Sequence, residues 1–152
     1  RAEVSPVELI ERLQKAAPRA ARRRHRFSRV MGRRVLPMAQ EMPDGVEWWS
    51  FGYLTDTILT RDPWMHRVDL SRASGVRLTL SDDHDGVIVA DIVAEWGQRH
   101  GQPFRLTLTG PAGGSWQAAS DGEEIEMDAI EFCRTVSGRR EGDGLLSVAV
   151  PF

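Results

Sequence analysis

The chain has 152 residues, a net charge of −2 and a mean hydropathy of −0.36, which suits one globular domain or two small ones. No apolar run approaches the ~20 residues of a bilayer span, which excludes a membrane-spanning protein, and the composition excludes a disordered chain. Charge is uneven: residues 1–40 carry 11 Lys or Arg against 3 Asp or Glu, a net +8, so the remainder carries −10.

The first predicted element is a long helix that begins near Ser5 and ends near Gly32. Serine suits an N-cap and Pro6 suits the first helical position. Apolar residues recur at spacings of three and four in a stripe that Pro18 should kink. The prolines and the Asp-Gly pair of residues 37–47 predict a surface connection to the next helix.

A second long helix is predicted from Trp49 to Ser74, antiparallel to the first. Shorter elements follow residue 75. They are a helix at 84–99, strands at 104–109 and 115–119, a helix at 125–136 and a closing strand at 145–150. The prediction is therefore an α+β fold, with a helical region at 1–76 and a small α+β domain at 77–152.

The stretch from Thr60 to Leu70 holds the most informative side chains. Asp62 and His66 are four residues apart, so on a helix a carboxylate and an imidazole share one face and can bind one divalent ion. Asp69 lies three residues further on and could orient the imidazole through its other ring nitrogen. The spacing alone is more often a solvated helix-surface contact.

Three segments in order resemble the actinobacterial family of mycothiol-dependent maleylpyruvate isomerases. They are RDPWMHRVDLSRA at 61–73, LTLTGPAGG at 106–114 and DAIEFCRTVSGR at 128–139. The resemblance implies long antiparallel helices of a DinB-like four-helix bundle, followed by a C-terminal α+β domain. It also implies that the first two bundle helices precede this sequence, which starts at Arg1. Those helices, a second chain or self-association would cover the exposed helical face.

The resemblance also implies a site and a reaction. Asp62 and His66 would be two zinc ligands, while the third, a histidine on an earlier helix, matches no residue here. Arg134, or less well Arg139, would face the metal and bind a carboxylate of the small-molecule substrate. Metal-bound mycothiol, or a similar thiol, would add as a thiolate to an electrophilic cis double bond, and its expulsion after rotation would leave the trans isomer.

The implied function is a metal- and thiol-dependent isomerase or S-transferase, and the alternative is a non-catalytic binding or regulatory module of the same superfamily. A single cysteine, Cys133, excludes an internal disulfide and fits a cytoplasmic protein. The basic run at 19–34 suggests nucleic acid as a partner, but a pI near 6.1 argues against it. The acidic segment 81–86 suggests a cation loop, although helix capping explains it adequately. Trp64 could wall a substrate pocket.

Overall fold

The computed structural model describes residues 4–36, 39–42 and 45–152 and has an α+β fold. The chain divides into two compact units, Arg1–Thr60 and Arg61–Phe152. This division falls before the sequence-based boundary after residue 76, because the helix that follows Thr60 contributes Trp64, Met65 and Val68 to the core of the second unit. Whether residue 76 separates two domains remains a prediction.

Helix α1, Pro6–Met31, begins where the sequence predicts. The hydroxyl of Ser5 accepts a hydrogen bond from the Glu8 amide at 3.2 Å, which satisfies one free N–H of the first turn. The helix continues through Pro18 and buries none of its residues. Its amphipathic stripe is exposed in the first half of the helix, at Val7, Ile10 and Leu13, whereas Phe27 near the end packs edge-on against Phe51 with ring centroids 5.4 Å apart.

Two short strands occupy the segment predicted as a surface connection. Strands β1, Gln40–Met42, and β2, Gly45–Glu47, pair antiparallel as a small hairpin. The two prolines and the aspartate on which the prediction of a connection was based, at positions 37, 43 and 44, lie outside the described residues. The predicted connection therefore contains a short hairpin, whose paired residues exchange backbone hydrogen bonds.

The second long helical segment begins near Trp49, as predicted, with Phe51 and Gly52 in its first turn. A π-helical turn, Tyr53–Ile58, precedes α2, Leu59–Ser74. Pro63 lies in the first turns of α2 and has no N–H to donate to the carbonyl of Leu59, four residues earlier. Arg24 Nη1 donates to that carbonyl at 2.9 Å instead. This hydrogen bond lets the helix carry an internal proline without an unsatisfied carbonyl.

The second unit adds two helices and a three-stranded sheet to α2. Its remaining elements are α3, Val87–His100; β3, Phe104–Thr109; β4, Gly114–Gln117; β5, Glu123–Asp128; and α4, Ala129–Val136. The strand order is β4-β3-β5, with β4 antiparallel and β5 parallel to β3. One core collects buried residues from α2, α3, β3, β5 and α4, among them Met65, Val89, Trp96, Leu106, Ile125 and Phe132, and the partly buried Trp116 of β4 packs against it.

Two sequence-based assignments in this unit are wrong. Residues 125–128 belong to β5, not to a helix, because Ile125 is buried against the sheet in an alternating pattern and Asp128 caps α4 through the amides of Ile130 and Glu131. The closing strand expected at 145–150 is a 3₁₀ turn, Gly144–Ser147, followed by extended chain. That chain is held by a Val150 amide bond to the carbonyl of Val136 at 2.8 Å, not by a neighbouring strand.

Candidate metal and substrate site

The candidate site lies on the outward face of α2. The inward face carries Arg61, Trp64, Met65 and Val68, all buried. With 3.6 residues per turn, Asp62, His66 and Asp69 centre about 120° from that buried face and so lie on a solvent-exposed flank of the helix. Their side chains are 43%, 61% and 39% exposed, so water and small solutes reach them.

Each ring nitrogen of His66 faces a carboxylate. Nε2 lies 3.3 Å from Asp62 Oδ1, and Nδ1 lies 3.6 Å from Asp69 Oδ2. The structure thus brings together the three residues that the sequence selected. Asp69 faces the ring nitrogen that points away from Asp62, which is the position expected of a carboxylate that orients a metal-binding imidazole.

The Asp62–His66 pair fits a zinc ion as two of its ligands. Ligand atoms about 2.0–2.1 Å from a tetrahedral zinc are about 3.4 Å from each other, and the observed separation is 3.3 Å. Within residues 4–36, 39–42 and 45–152, no group of three or more His, Cys, Asp or Glu side chains could hold a metal ion. The pair alone would fill two of the four positions of a tetrahedral zinc ion.

Arg139 extends this row of side chains. Its Nε donates to Asp69 Oδ2 at 3.0 Å, the same oxygen that faces His66. The chain reaches this position because α4 is followed by Gly138 at φ +75°, a conformation that glycine adopts without strain. The arginine is 23% exposed and places a guanidinium beside the outward face of α2.

Arg134, the first choice from the sequence, has a different partner. Its Nη1 donates to Glu131 Oε2 at 3.1 Å, while its buried Nε has no hydrogen-bond partner within the described part of the chain. Glu131 also binds Arg72 at 2.9 Å and Arg140 at 3.3 Å. Arg134 thus belongs to an arginine cluster around Glu131, and Arg139 is the arginine bonded to the row containing His66.

The structure does not support a functional role for several other residues considered from the sequence. Trp64 is 4% exposed and its indole N–H is bonded to Asp85, so it cannot wall an open pocket. Cys133 is fully buried, and desolvation raises the pKa of its thiol far above the usual range, which keeps it protonated. His25, the histidine of this sequence that could be nominated for the missing third ligand, lies exposed on α1.

Sequence reasoning missed two buried charges, Arg61 and Asp85, at 1% and 2% exposure. For Arg61 a signal existed, because it precedes Trp64, Met65 and Val68 at spacings of three, four and seven and so shares their face. Asp85 sits among exposed acidic neighbours, and nothing local distinguishes it. Its burial depends on partners far away in the sequence.

A cavity of about 400 Å³ opens beside β5 but excludes the proposed site residues. Its charged lining consists of Glu123, Glu124, Glu126, Glu141, Asp143 and Arg140. Five carboxylates against one guanidinium repel an anionic substrate. The charge of this lining therefore does not suit an anionic ligand.

Comparisons with known protein families, with curated proteins and with solved structures find no match. Among the described residues, no helix is both long and apolar enough to span a bilayer. The site must therefore be interpreted from its own geometry: a carboxylate-imidazole pair at ligand spacing, a second carboxylate on the other ring nitrogen, and an arginine bonded to that carboxylate.

Proposed function

We propose that this protein is a cytoplasmic, divalent-metal and thiol-dependent isomerase or S-transferase. Its substrate would be a small electrophilic dicarboxylate similar to maleylpyruvate, and its cofactors zinc and mycothiol or a similar thiol. The proposal follows the resemblance of three segments to mycothiol-dependent maleylpyruvate isomerases, including a DinB-like bundle to which α1 and α2 would belong.

One observation carries the proposal: Asp62 Oδ1 and His66 Nε2 are 3.3 Å apart on an exposed helix face, with Asp69 on the remaining ring nitrogen. An aspartate and a histidine that are four residues apart by chance would not require a second carboxylate beside the imidazole. Here that carboxylate is present, and Arg139 is bonded to it at 3.0 Å. The arrangement supports a metal site next to an anion-binding group.

A bound zinc ion would hold the thiol cofactor as its thiolate and so supply the nucleophile. Asp62 and His66 would bind the ion, and Asp69 would fix the imidazole ring through Nδ1. Arg139 would contribute a planar guanidinium for a substrate carboxylate and for negative charge that develops on the substrate. Arg134, held by Glu131, remains the alternative for this role.

The test is zinc binding measured by equilibrium dialysis over a zinc titration from micromolar to millimolar, because two protein ligands make a weak site, with three proteins in parallel. Wild type and His25→Ala, which removes an exposed histidine from α1, are expected to bind about one zinc per chain. His66→Ala should lose it, because removing one of two ligands leaves a single carboxylate. Equal zinc in all three proteins would refute the site.

A non-catalytic binding or regulatory module is the second candidate function. It is favoured by the observation that the described residues contain no complete group of three metal-binding side chains. Thiol-dependent turnover of a maleylpyruvate-like substrate by zinc-loaded protein separates the two candidates. Turnover that disappears in His66→Ala supports the enzyme, whereas His66-dependent zinc binding without turnover supports the module.

A further inference from the structure

Two polar anchors bracket the Asp62–His66 interval on α2. The first is Arg61, directly before Asp62. Its Nη2 and Nε donate to Asp91 Oδ2 at 2.6 and 3.0 Å, and its Nη1 donates to Glu95 Oε2 at 2.6 Å. This anchor ties the start of the interval to α3.

The second anchor is Asp85, in the turn that leads into α3. Its Oδ1 accepts from Trp64 Nε1 at 2.8 Å and from Arg67, the residue directly after His66. Its Oδ2 accepts from the Ser81 amide at 2.7 Å, and the Asp85 amide donates back to the Ser81 carbonyl at 2.9 Å. The two oxygens of one buried carboxylate therefore join α2 to the turn before α3.

The helix needs such anchors at this point. Asp62 and His66 are about half exposed, so packing does not fix their side chains, and the distance between them depends on the helical turn that joins them. Pro63 lies between them and lacks the amide hydrogen that would strengthen the turn, and the preceding turn is π-helical. Backbone hydrogen bonds alone hold this part of α2 less firmly than an uninterrupted helix.

We propose that Asp85 is a positioning residue for the Asp62–His66 pair, because its hydrogen bonds to Trp64 and Arg67 hold the proline-containing turn that sets the distance between the two side chains. This inference rests on the proposed metal role of the pair but concerns a different residue, one that touches neither ligand. It assigns a specific task to the acidic segment 81–86: Asp82 and Asp83 are exposed, and Asp85 is buried.

Asp85→Asn tests the proposal, with Asp83→Asn as the matched control in the same turn. The asparagine keeps an oxygen for the indole N–H but removes the charge that faces Arg67. We expect the zinc dissociation constant to rise about tenfold in Asp85→Asn and to stay at the wild-type value in Asp83→Asn. Trp64→Phe, which removes the indole N–H donor and keeps a ring in the core, provides a second variant with the same expected direction.

A metal-free readout separates positioning from stability and from the metal proposal itself. Nuclear Overhauser contacts between the His66 ring and the Asp62 side chain, recorded well below the unfolding temperature, should weaken in Asp85→Asn and persist in Asp83→Asn. Unchanged contacts and an unchanged dissociation constant in folded Asp85→Asn would overturn the inference. If wild type binds no zinc, the proposed function fails, and the contacts alone decide whether Asp85 positions the pair.

Discussion

The two compact units differ in how they use amphipathic helices. Helix α1 has 26 residues and buries none of them, whereas α3 has 14 residues and buries five. The exposed apolar residues of α1 include Val7, Leu9, Ile10, Leu13 and Val30. The buried ones of α3 are Ile88, Val89, Ile92, Val93 and Trp96. Both helices show the apolar spacing that the sequence analysis used.

The difference shows that an apolar stripe predicts a helix but does not predict what covers it. In α1 the helix is supported by local interactions, such as the Ser5 cap and an Arg12–Glu8 ion pair at 2.5 Å. In the second unit, burial against the sheet supplies the stability, and the buried groups Arg61 and Asp85 make hydrogen bonds between α2 and the α3 region. Substitutions of similar type should therefore have unequal effects in the two units.

The largest effect is expected for Trp96→Ala. The indole is fully buried and packs edge-on against Phe104 and Phe132, with ring centroids 4.9 and 5.3 Å apart. Its N–H donates a hydrogen bond to the Leu145 carbonyl at 3.0 Å. Its loss leaves a large cavity and should lower the free energy of unfolding of the second unit by about 3–5 kcal/mol. Urea denaturation followed by circular dichroism measures the change.

Leu13→Ala in α1 is the matched control for that prediction. Leu13 is 67% exposed, and alanine is at least as good a helix former, so the expected change is below about 0.5 kcal/mol. A loss comparable to that of Trp96→Ala would mean that a partner covers α1 in solution, and the contrast between the units would disappear.

The sequence predicted local elements better than it predicted long-range partners. The cap at Ser5, β3 at 104–109 and the shared face of Asp62, His66 and Asp69 follow from rules that operate within a few residues. Strand β5 was mistaken for a helix because its alternating apolar residues run directly into the amphipathic α4.

The polar contacts around the site could not be predicted in the same way. Asp85 meets Trp64 and Arg67 across 21 and 18 residues of sequence, and Arg139 meets Asp69 across 70. Such contacts exist only after the core has brought α2, α3 and α4 together. Local spacing identified the candidate ligands but gave no information on the residues that hold them.

An intermediate effect is expected for Asp85→Asn, and it should depend on pH. Desolvation by burial raises the pKa of Asp85, but hydrogen bonds from Trp64, Ser81 and His84 and the charge of Arg67 outweigh it, so the pKa is lowered overall. A carboxyl with a lowered folded-state pKa contributes stability above its unfolded pKa of about 3.9 and loses it as pH falls through the folded value.

The variant should therefore lose about 2 kcal/mol at pH 7, where charged hydrogen bonds are removed, and the difference from wild type should shrink below about pH 4. Urea unfolding of both proteins at pH 7 and at pH 3 measures this. For Asp83→Asn, at an exposed position, the difference in unfolding free energy from wild type should be the same at both pH values. A constant difference across this range would mean that the charge of Asp85 does not stabilise the fold.

The smallest effect is expected for His66→Ala. The imidazole is 61% exposed and lies 3.3 and 3.6 Å from the Asp62 and Asp69 carboxylates. Because exposed ion pairs contribute little to stability, the change in unfolding free energy should be below about 0.5 kcal/mol. His25→Ala in α1 should give the same small change, which urea denaturation can compare directly. Equal small changes would show that His66 does not contribute to the packing of the second unit. A loss of zinc binding in His66→Ala would then be caused by the missing ligand and not by unfolding. A loss as large as that of Trp96→Ala would instead make His66 a structural residue, and the candidate site on α2 would have to be abandoned.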